Sequence, residues 1–207
     1  MVDRAMSFLQ TFYEYARFYI NLKPFLGTII SEESAKKAIK QRLADREENF
    51  LKLIKKGIFQ NKRSPYLKIL KLIRISYDDI GRMINKNGLF ETLNILRAEG
   101  IYLTIEEFKG KKTVVRDGAE FRFKEQDFDN PLLCAYYNIE TGGTRSAGTR
   151  TLLDLEYISA KAVYYPLVFD IYNLKDCKIG LWAPTPPLGA GILPLLHFAK
   201  AGKINQT

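Results

Sequence analysis

The chain is poor in the residues that build covalent or metal-held frameworks. Its 207 residues include two cysteines, Cys134 and Cys177, with no CxxC spacing, and one histidine, His197. That set is too sparse for a disulfide scaffold or a structural zinc site. Long apolar runs are also missing. Asp3, Arg4, Glu14 and Arg17 interrupt every hydrophobic stretch near the N-terminus before it reaches the length of a signal segment or of the roughly 20 residues that span a bilayer, so the expected location is the cytoplasm. No internal repeat or low-complexity tract stands out. A hydrophobic content of 46% excludes a disordered chain and supplies enough apolar surface for one good core or two small domains.

Acidic charge is scarce in one place only. The formal net charge is +9, yet thirteen of the lysines and arginines fall between Lys36 and Arg74 against three acids, which leaves the rest of the chain close to neutral. The basicity is therefore a local block, and its net charge invites a nucleic-acid or anionic-membrane reading. Against that reading, the block has no base-reading motif, and Ile39, Leu43, Phe50, Leu53 and Ile54 recur beneath the charges as a core stripe would. A solvated helix surface is the simpler expectation.

The N-terminal half reads as helical. Phe8, Leu9, Phe12, Tyr15, Ala16, Tyr19 and Ile20 predict an amphipathic helix that ends before Lys23-Pro24; the mixed charges on its polar face favour packing over a membrane surface. Ser31 is placed to cap a long helix through Lys56, with Gly57 as its left-handed stop. Ser64-Pro65 opens a helix through Arg74, Ser76 with Asp79 makes a capping box for another that closes near Gly88, and a further helix runs from Leu89 to Glu99. After Gly100 the texture changes. Ile101 to Leu103 can start a strand, Thr104 with Glu107 caps a short helix, and residues 113–124 read as a hairpin turning at Asp117-Gly118. From Thr151 the order is strand (Thr151 to Leu155), helix (Tyr157 to Leu174, kinked at Pro166), strand (Cys177 to Trp182), a Pro/Gly loop and helix (Ile192 to Ala201). That alternation predicts an α/β fold: a helical region over 1–100, then over 101–207 an incomplete, mainly parallel sheet with crossover helices.

One stretch concentrates chemistry: Thr141-Gly142-Gly143-Thr144-Arg145-Ser146-Ala147-Gly148-Thr149-Arg150. Its glycines let backbone N–H groups turn inward, its hydroxyls add neutral donors, and its arginines add charge, so the composition suits phosphate oxygens. It is neither a Walker A loop, lacking Gly-Lys-Ser/Thr, nor the GxGxxG dinucleotide turn. The bland reading is a surface turn rich in Gly and Thr. His197 reads as a surface or core histidine before it reads as catalytic. Trp182 to Gly191 follows an expected strand and forms either a connecting loop or a pocket wall. Asp154 and Glu156 alternate along the expected strand and share a face there, as a solvent-facing pair more readily than as metal ligands.

The Gly/Thr stretch resembles the phosphate loop of the adenylate-forming, AMP-binding superfamily, a Ser/Thr-Ser/Gly-Gly-Thr-Thr/Ser-Gly run followed by a basic residue. Thr141-Gly142-Gly143-Thr144-Arg145-Ser146 matches four of six places, Arg145 and Ser146 departing, and Arg150 stands near the basic position. A second register over Ser146-Ala147-Gly148-Thr149-Arg150-Thr151 also fits. The order of segments, including Ser64-Pro65-Tyr66 opening a helix, is similar to that of phenylacetate-CoA ligases and of the acyl-protein synthetases of bacterial bioluminescence. The resemblance covers roughly residues 60–207. It implies a partial N-terminal domain of a ligase in which the loop holds ATP phosphates with Mg²⁺ while a carboxylic acid becomes an acyl-AMP that a thiol, such as CoA or a carrier protein, captures. It also implies that adenine- and ribose-binding residues and a mobile lid lie beyond Thr207. The chain is then expected to be truncated, or the first half of a split enzyme whose C-terminal half is another chain, and inactive alone. The alternative is a non-catalytic module binding nucleic acid or anionic membrane through residues 36–74.

Overall fold

A computed structural model of the chain describes residues 2–133, 136–140, 150–182 and 191–204. In chain order its elements are helices α1 (Val2–Leu26), α2 (Glu32–Ala44), α3 (Arg46–Ile54), α4 (Pro65–Leu72), α5 (Tyr77–Ala98) and α6 (Ile105–Phe108); strands β1 (Val114–Arg116), β2 (Ala119–Phe121), β3 (Tyr136–Glu140) and β4 (Arg150–Asp154); and helices α7 (Leu155–Ala162), α8 (Tyr164–Ile171) and α9 (Ile192–Lys200). The described residues are mostly helical. They form no parallel sheet: β1 pairs only with β2 and β3 only with β4, both antiparallel, which corrects the expected parallel sheet with crossover helices. Among the described residues no helix is long and apolar enough to cross a membrane. The chain divides into two compact units, residues 1–41 with 133–207, and residues 42–132; the change of texture after Gly100 falls inside the second.

In the first unit the apolar stripe of α1 meets α7 and α9. Phe18 and Phe25 are buried with Leu155, Ile158 and Leu196, and Leu22, Leu26, Ile192 and Leu193 pack around them. Burying such a side chain stabilises a fold by about 1.5–3 kcal/mol, so this five-residue cluster contributes substantially to cohesion. Helix α1 continues past the expected stop, carrying Pro24 into its last turn, where the Gly27 N–H still reaches the Lys23 carbonyl at 3.0 Å. A polar tie joins the segment after α1 to the end of α9. The Ile30 N–H donates to the Lys200 carbonyl at 2.8 Å, and the buried Lys200 ammonium donates to the Thr28 carbonyl at 3.0 Å and to the Thr28 hydroxyl, with its Nζ 4.5 Å from the centre of the Phe25 ring. The expected helix from Tyr157 to Leu174 is two helices that meet at Val163. Pro166 sits in the first turn of α8, where its missing N–H removes no helical bond.

The second unit holds two adjoining cores. Ile54, Leu70, Ile80, Ile84 and Leu96 gather between α3, α4 and α5, while Ile69, Val114 and Phe123 seat the β1–β2 hairpin. The expected single helix from Ser31 to Lys56 breaks at Asp45 (φ −91°, ψ 8°), and α3 runs directly into a π-helical turn, Lys55–Phe59, so Gly57 lies inside a helix and is not its left-handed stop. The capping box of Ser76 and Asp79 is present, and Gly88 (φ 77°, ψ 167°) leaves the helical path inside α5, so the two helices expected on either side of it are found, joined across a kink. Thr104 and Glu107 cap α6 reciprocally.

Arg116, at the end of β1, holds these pieces together. Its Nη1 and Nη2 donate to the two oxygens of Glu107 at 3.0 and 3.1 Å, its Nε donates to the Gly100 carbonyl at 2.9 Å, and Nη2 also donates to the Tyr102 carbonyl at 2.8 Å. The expected strand at Ile101 to Leu103 does not form, because the carbonyls on either side of Ile101 accept from this guanidinium and not from a neighbouring strand. Glu107 is almost fully buried, and its carboxyl is lowered to about 2 from the ordinary 4.5; the Arg116 hydrogen bond is the largest cause and overcomes the opposing effect of burial.

Removing one partner of a buried pair leaves the other charge unmatched, so Arg116→Ala is expected to destabilise the chain by about 3–5 kcal/mol in denaturant unfolding. The contribution of Glu107 has a folded-state pKa below its unfolded value, so it is fully present above pH 4.5 and lost as pH falls toward 2. The stability advantage of the wild-type chain over Glu107→Gln should therefore shrink across that window; an advantage independent of pH would contradict the assignment.

Candidate functional site

The stretch that carries the phosphate-binding composition lies between β3 and β4. Strand β3 pairs with β4 in a register that sets Tyr136 opposite Asp154, Asn138 opposite Leu152, and Glu140 opposite Arg150. Thr141, Gly142, Gly143, Thr144, Arg145, Ser146, Gly148 and Thr149 lie outside the described residues; Arg150 is the first residue of β4. The two ends of the stretch are thus held as neighbours across an antiparallel ladder. The strand after the stretch matches the expected one from Thr151 closely, but its partner is the strand before the stretch.

Asp154 sets the junction between β4 and α7. It closes β4 in an extended conformation (φ −117°, ψ 130°), and its buried carboxylate accepts the Tyr157 N–H at 2.9 Å as the N-cap of α7. The expected strand face shared by Asp154 and Glu156 is absent, since Glu156 lies in the first turn of α7, where its charge favours the helix dipole. Helix α7 then buries Leu155, Ile158 and Ala162. The chain thus passes directly from ladder to cap to core on the C-terminal side of the stretch.

The other candidates separate. His197 is a core residue: it is buried, stacks on Tyr165 with ring centres 4.9 Å apart, and leaves Nε2 without a hydrogen-bond partner. Burial, and secondarily the charge of Lys161, lowers its pKa, which disfavours the charged imidazolium. The expected strand from Cys177 to Trp182 has no ladder partner and forms no secondary structure, and Trp182 is fully exposed. Residues 183–190 of the Pro/Gly loop lie outside the described residues. Among the described residues no three His, Cys, Asp or Glu side chains gather as a metal site would require.

The basic block is largely solvated. Lys36 pairs with Glu32, Lys52 with Glu48 at 2.5 Å, and Lys55 and Lys68 each lie 5.5 Å from the ring centres of Tyr77 and Phe123. Of the expected stripe beneath it Ile54 is buried and Ile39 and Phe50 are half-buried, but Leu43 and Leu53 are exposed. The sequence pattern does not reveal the Lys200–Thr28 tie or the Glu32–Lys175–Asp170 chain of charges. Lys36 and Lys175 together hold the Glu32 carboxyl near 2. No local signal marks contacts between residues so far apart in sequence.

The chain matches no family model, and no curated protein or solved structure is significantly similar to it. The geometry of the β4–α7 junction is directly testable. Asp154→Ala removes a side-chain cap and should cost about 1 kcal/mol of stability, whereas Asp154→Ser, which restores an acceptor, should recover most of it in thermal unfolding. Equal losses in the two variants would show that the cap bond does not matter.

Proposed function

We propose that the chain is the N-terminal segment of an ATP-dependent adenylate-forming ligase, which activates a carboxylic acid as an acyl-AMP for transfer to a thiol such as CoA or a carrier-protein thiol. Residues 141–150 bind the ATP polyphosphate. The observation that carries this reading is the antiparallel register of Glu140 with Arg150, which closes a glycine-, hydroxyl- and arginine-rich stretch between two paired strands and leads at once into a capped helix.

The donor set fits phosphate oxygens. Glycines at 142, 143 and 148 allow main-chain N–H groups to approach a ligand closely, the hydroxyls of Thr141, Thr144, Ser146 and Thr149 donate neutral hydrogen bonds, and Arg145 and Arg150 supply charge-assisted ones. Such donors stabilise charge that develops on a phosphoryl group during transfer. Magnesium prefers several oxygen ligands, and this stretch contains no carboxylate, so its residues suit a metal that arrives on the ATP phosphates and is held chiefly by them. When bound, the metal neutralises phosphate charge. The residues of this chain orient the polyphosphate.

Calorimetric titration of the full chain with ATP and Mg²⁺ tests the proposal. Thr144→Ala with Arg145→Ala should weaken binding by at least a hundredfold without lowering the unfolding temperature, while reversing Lys52, Lys55 and Lys56 to glutamate should leave it unchanged. If affinity instead follows the three lysines, falls steeply with salt and ignores the double change, the chain is a polyanion-binding module acting through residues 36–74.

A further inference from the structure

The segment that follows α8 carries strand-forming residues but has no ladder partner among the described residues. The Cys177 N–H closes a turn on the Leu174 carbonyl at 3.3 Å. Beyond it, residues 178–182 run without turn, bend or ladder, and none of their main-chain groups bonds to another described residue. All five residues are exposed, among them Ile179, Leu181 and Trp182, the only tryptophan of the chain. Tryptophan is highly buried on average, so a fully exposed one is informative. A row of free N–H and C=O groups beside exposed apolar side chains is a template for a further strand.

The sequence of this segment is complementary to its own reverse. In an antiparallel pair centred on Gly180, Lys178 stands opposite Trp182 of a second copy, Ile179 opposite Leu181, and Gly180 opposite Gly180. This register pairs all five free residues. Side-chain alternation then places Lys178, Gly180 and Trp182 on one face and Ile179 and Leu181 on the other. Each half of the ladder gains a cation over an indole and an aliphatic pair, and both kinds of cross-strand neighbour are stabilising. Parallel pairing in register would set the two Lys178 ammonium groups side by side, which is repulsive. Gly180 suits the centre: its φ lies outside the left-handed region, and a Cβ there would meet nothing within 4 Å, so its main chain is open to a second backbone.

We propose that residues 178–182 are an interaction surface for a second copy of this chain, joined as an antiparallel two-stranded ladder about a twofold axis at Gly180. The contact is isologous, the same five residues serving both copies. A standard interface engages roughly 20–30 residues a side, so a ladder of this size gives reversible association and not a permanent dimer. The surface lies outside residues 141–150 and does not rest on nucleotide binding.

Trp182 reports on the ladder directly, because no other tryptophan contributes to the emission. Sedimentation velocity and tryptophan fluorescence of the full chain are measured over one concentration series. A reversible monomer–dimer equilibrium is expected, with the emission moving to shorter wavelength in step with the dimer fraction. Ile179→Pro together with Gly180→Pro removes an N–H from each edge of the segment at exposed positions. That variant should stay monomeric, keep the emission of an exposed indole at every concentration and unfold at the wild-type temperature. Lys178→Gln, which removes the cation from both halves of the ladder, should weaken association by about fivefold. A chain that is monomeric throughout, a dimer whose emission does not move, a dimer that survives the prolines, or one indifferent to Lys178→Gln each overturns the proposal. The wild-type series decides the matter even if the proline variant fails to fold. None of these outcomes bears on the ATP titration, so the two proposals fail separately.

Discussion

The second unit depends on a single guanidinium. Arg116 reaches the end of α5 through the Gly100 carbonyl, the following segment through the Tyr102 carbonyl, and α6 through Glu107. A buried charge without partners would be expelled from the fold; here its donors are used, and the Tyr102 ring covers the guanidinium at 4.4 Å. The arrangement fixes its surroundings in turn. Gly100 has a φ of 86°, which calls for glycine through the backbone, while a Cβ there would meet the Cδ of Arg116 only at an ordinary contact distance of 3.4 Å. Gly110 answers a similar demand: its φ is 68°, and a Cβ would come within 2.7 Å of the Phe123 carbonyl oxygen. These polar and steric constraints act together with the burial of Val114 and Phe123 in fixing where the hairpin and α6 sit.

The first unit uses a different device for a similar purpose. Its helices cohere through apolar burial, and Lys200 then links the end of α9 to the segment after α1 across 172 positions of sequence. Burial lowers the pKa of this lysine, which is the sign expected of an ammonium taken out of water. The Thr28 oxygens and the Phe25 ring face offset part of that penalty. Lys203 plays a smaller version of the role, donating to the Leu174 carbonyl at 2.7 Å just past α8.

Local chemistry was legible in the sequence where it was self-contained. The capping boxes at Ser76 and Thr104, the helix end at Gly88 and the Asp117-Gly118 turn each involve residues within a few positions of one another, and all are present. Pairing between distant segments was not legible. Cys177 to Trp182 has a strand-like composition, but a strand exists only with a partner, and among the described residues β3 and β4 pair only with each other. Ile101 to Leu103 failed as a strand for a related reason, its neighbouring carbonyls being claimed by an arginine sixteen positions from Gly100. The break at Asp45 leaves little trace in the sequence because its dihedrals lie close to helical ones, and the acids Glu47 and Glu48 of the new first turn sit among basic residues that suggest continuity. The candidate site was read from composition, which identifies donors but gives no position. The ladder around it supplies the only geometry.

Under the proposal that residues 141–150 bind polyphosphate, that ladder has a specific consequence. A glycine-rich stretch of about nine residues between fixed ends carries a closure cost of about 2 kcal/mol beyond a constant, from the logarithmic dependence on length. If the ends were free, a polyphosphate would have to supply that ordering itself, and its affinity would fall accordingly. In this chain the cost is already met by the five register pairs of β3 and β4 and by the cap at Asp154, before any ligand arrives. The same glycines that admit close approach to phosphate are those that lose most entropy on ordering, so a hairpin base and a rigid exit into α7 are the features such a stretch needs most. If the proposed polyphosphate binding holds, weakening the β4–α7 junction should reduce nucleotide affinity without touching residues 141–150, because the ends would no longer be held in advance.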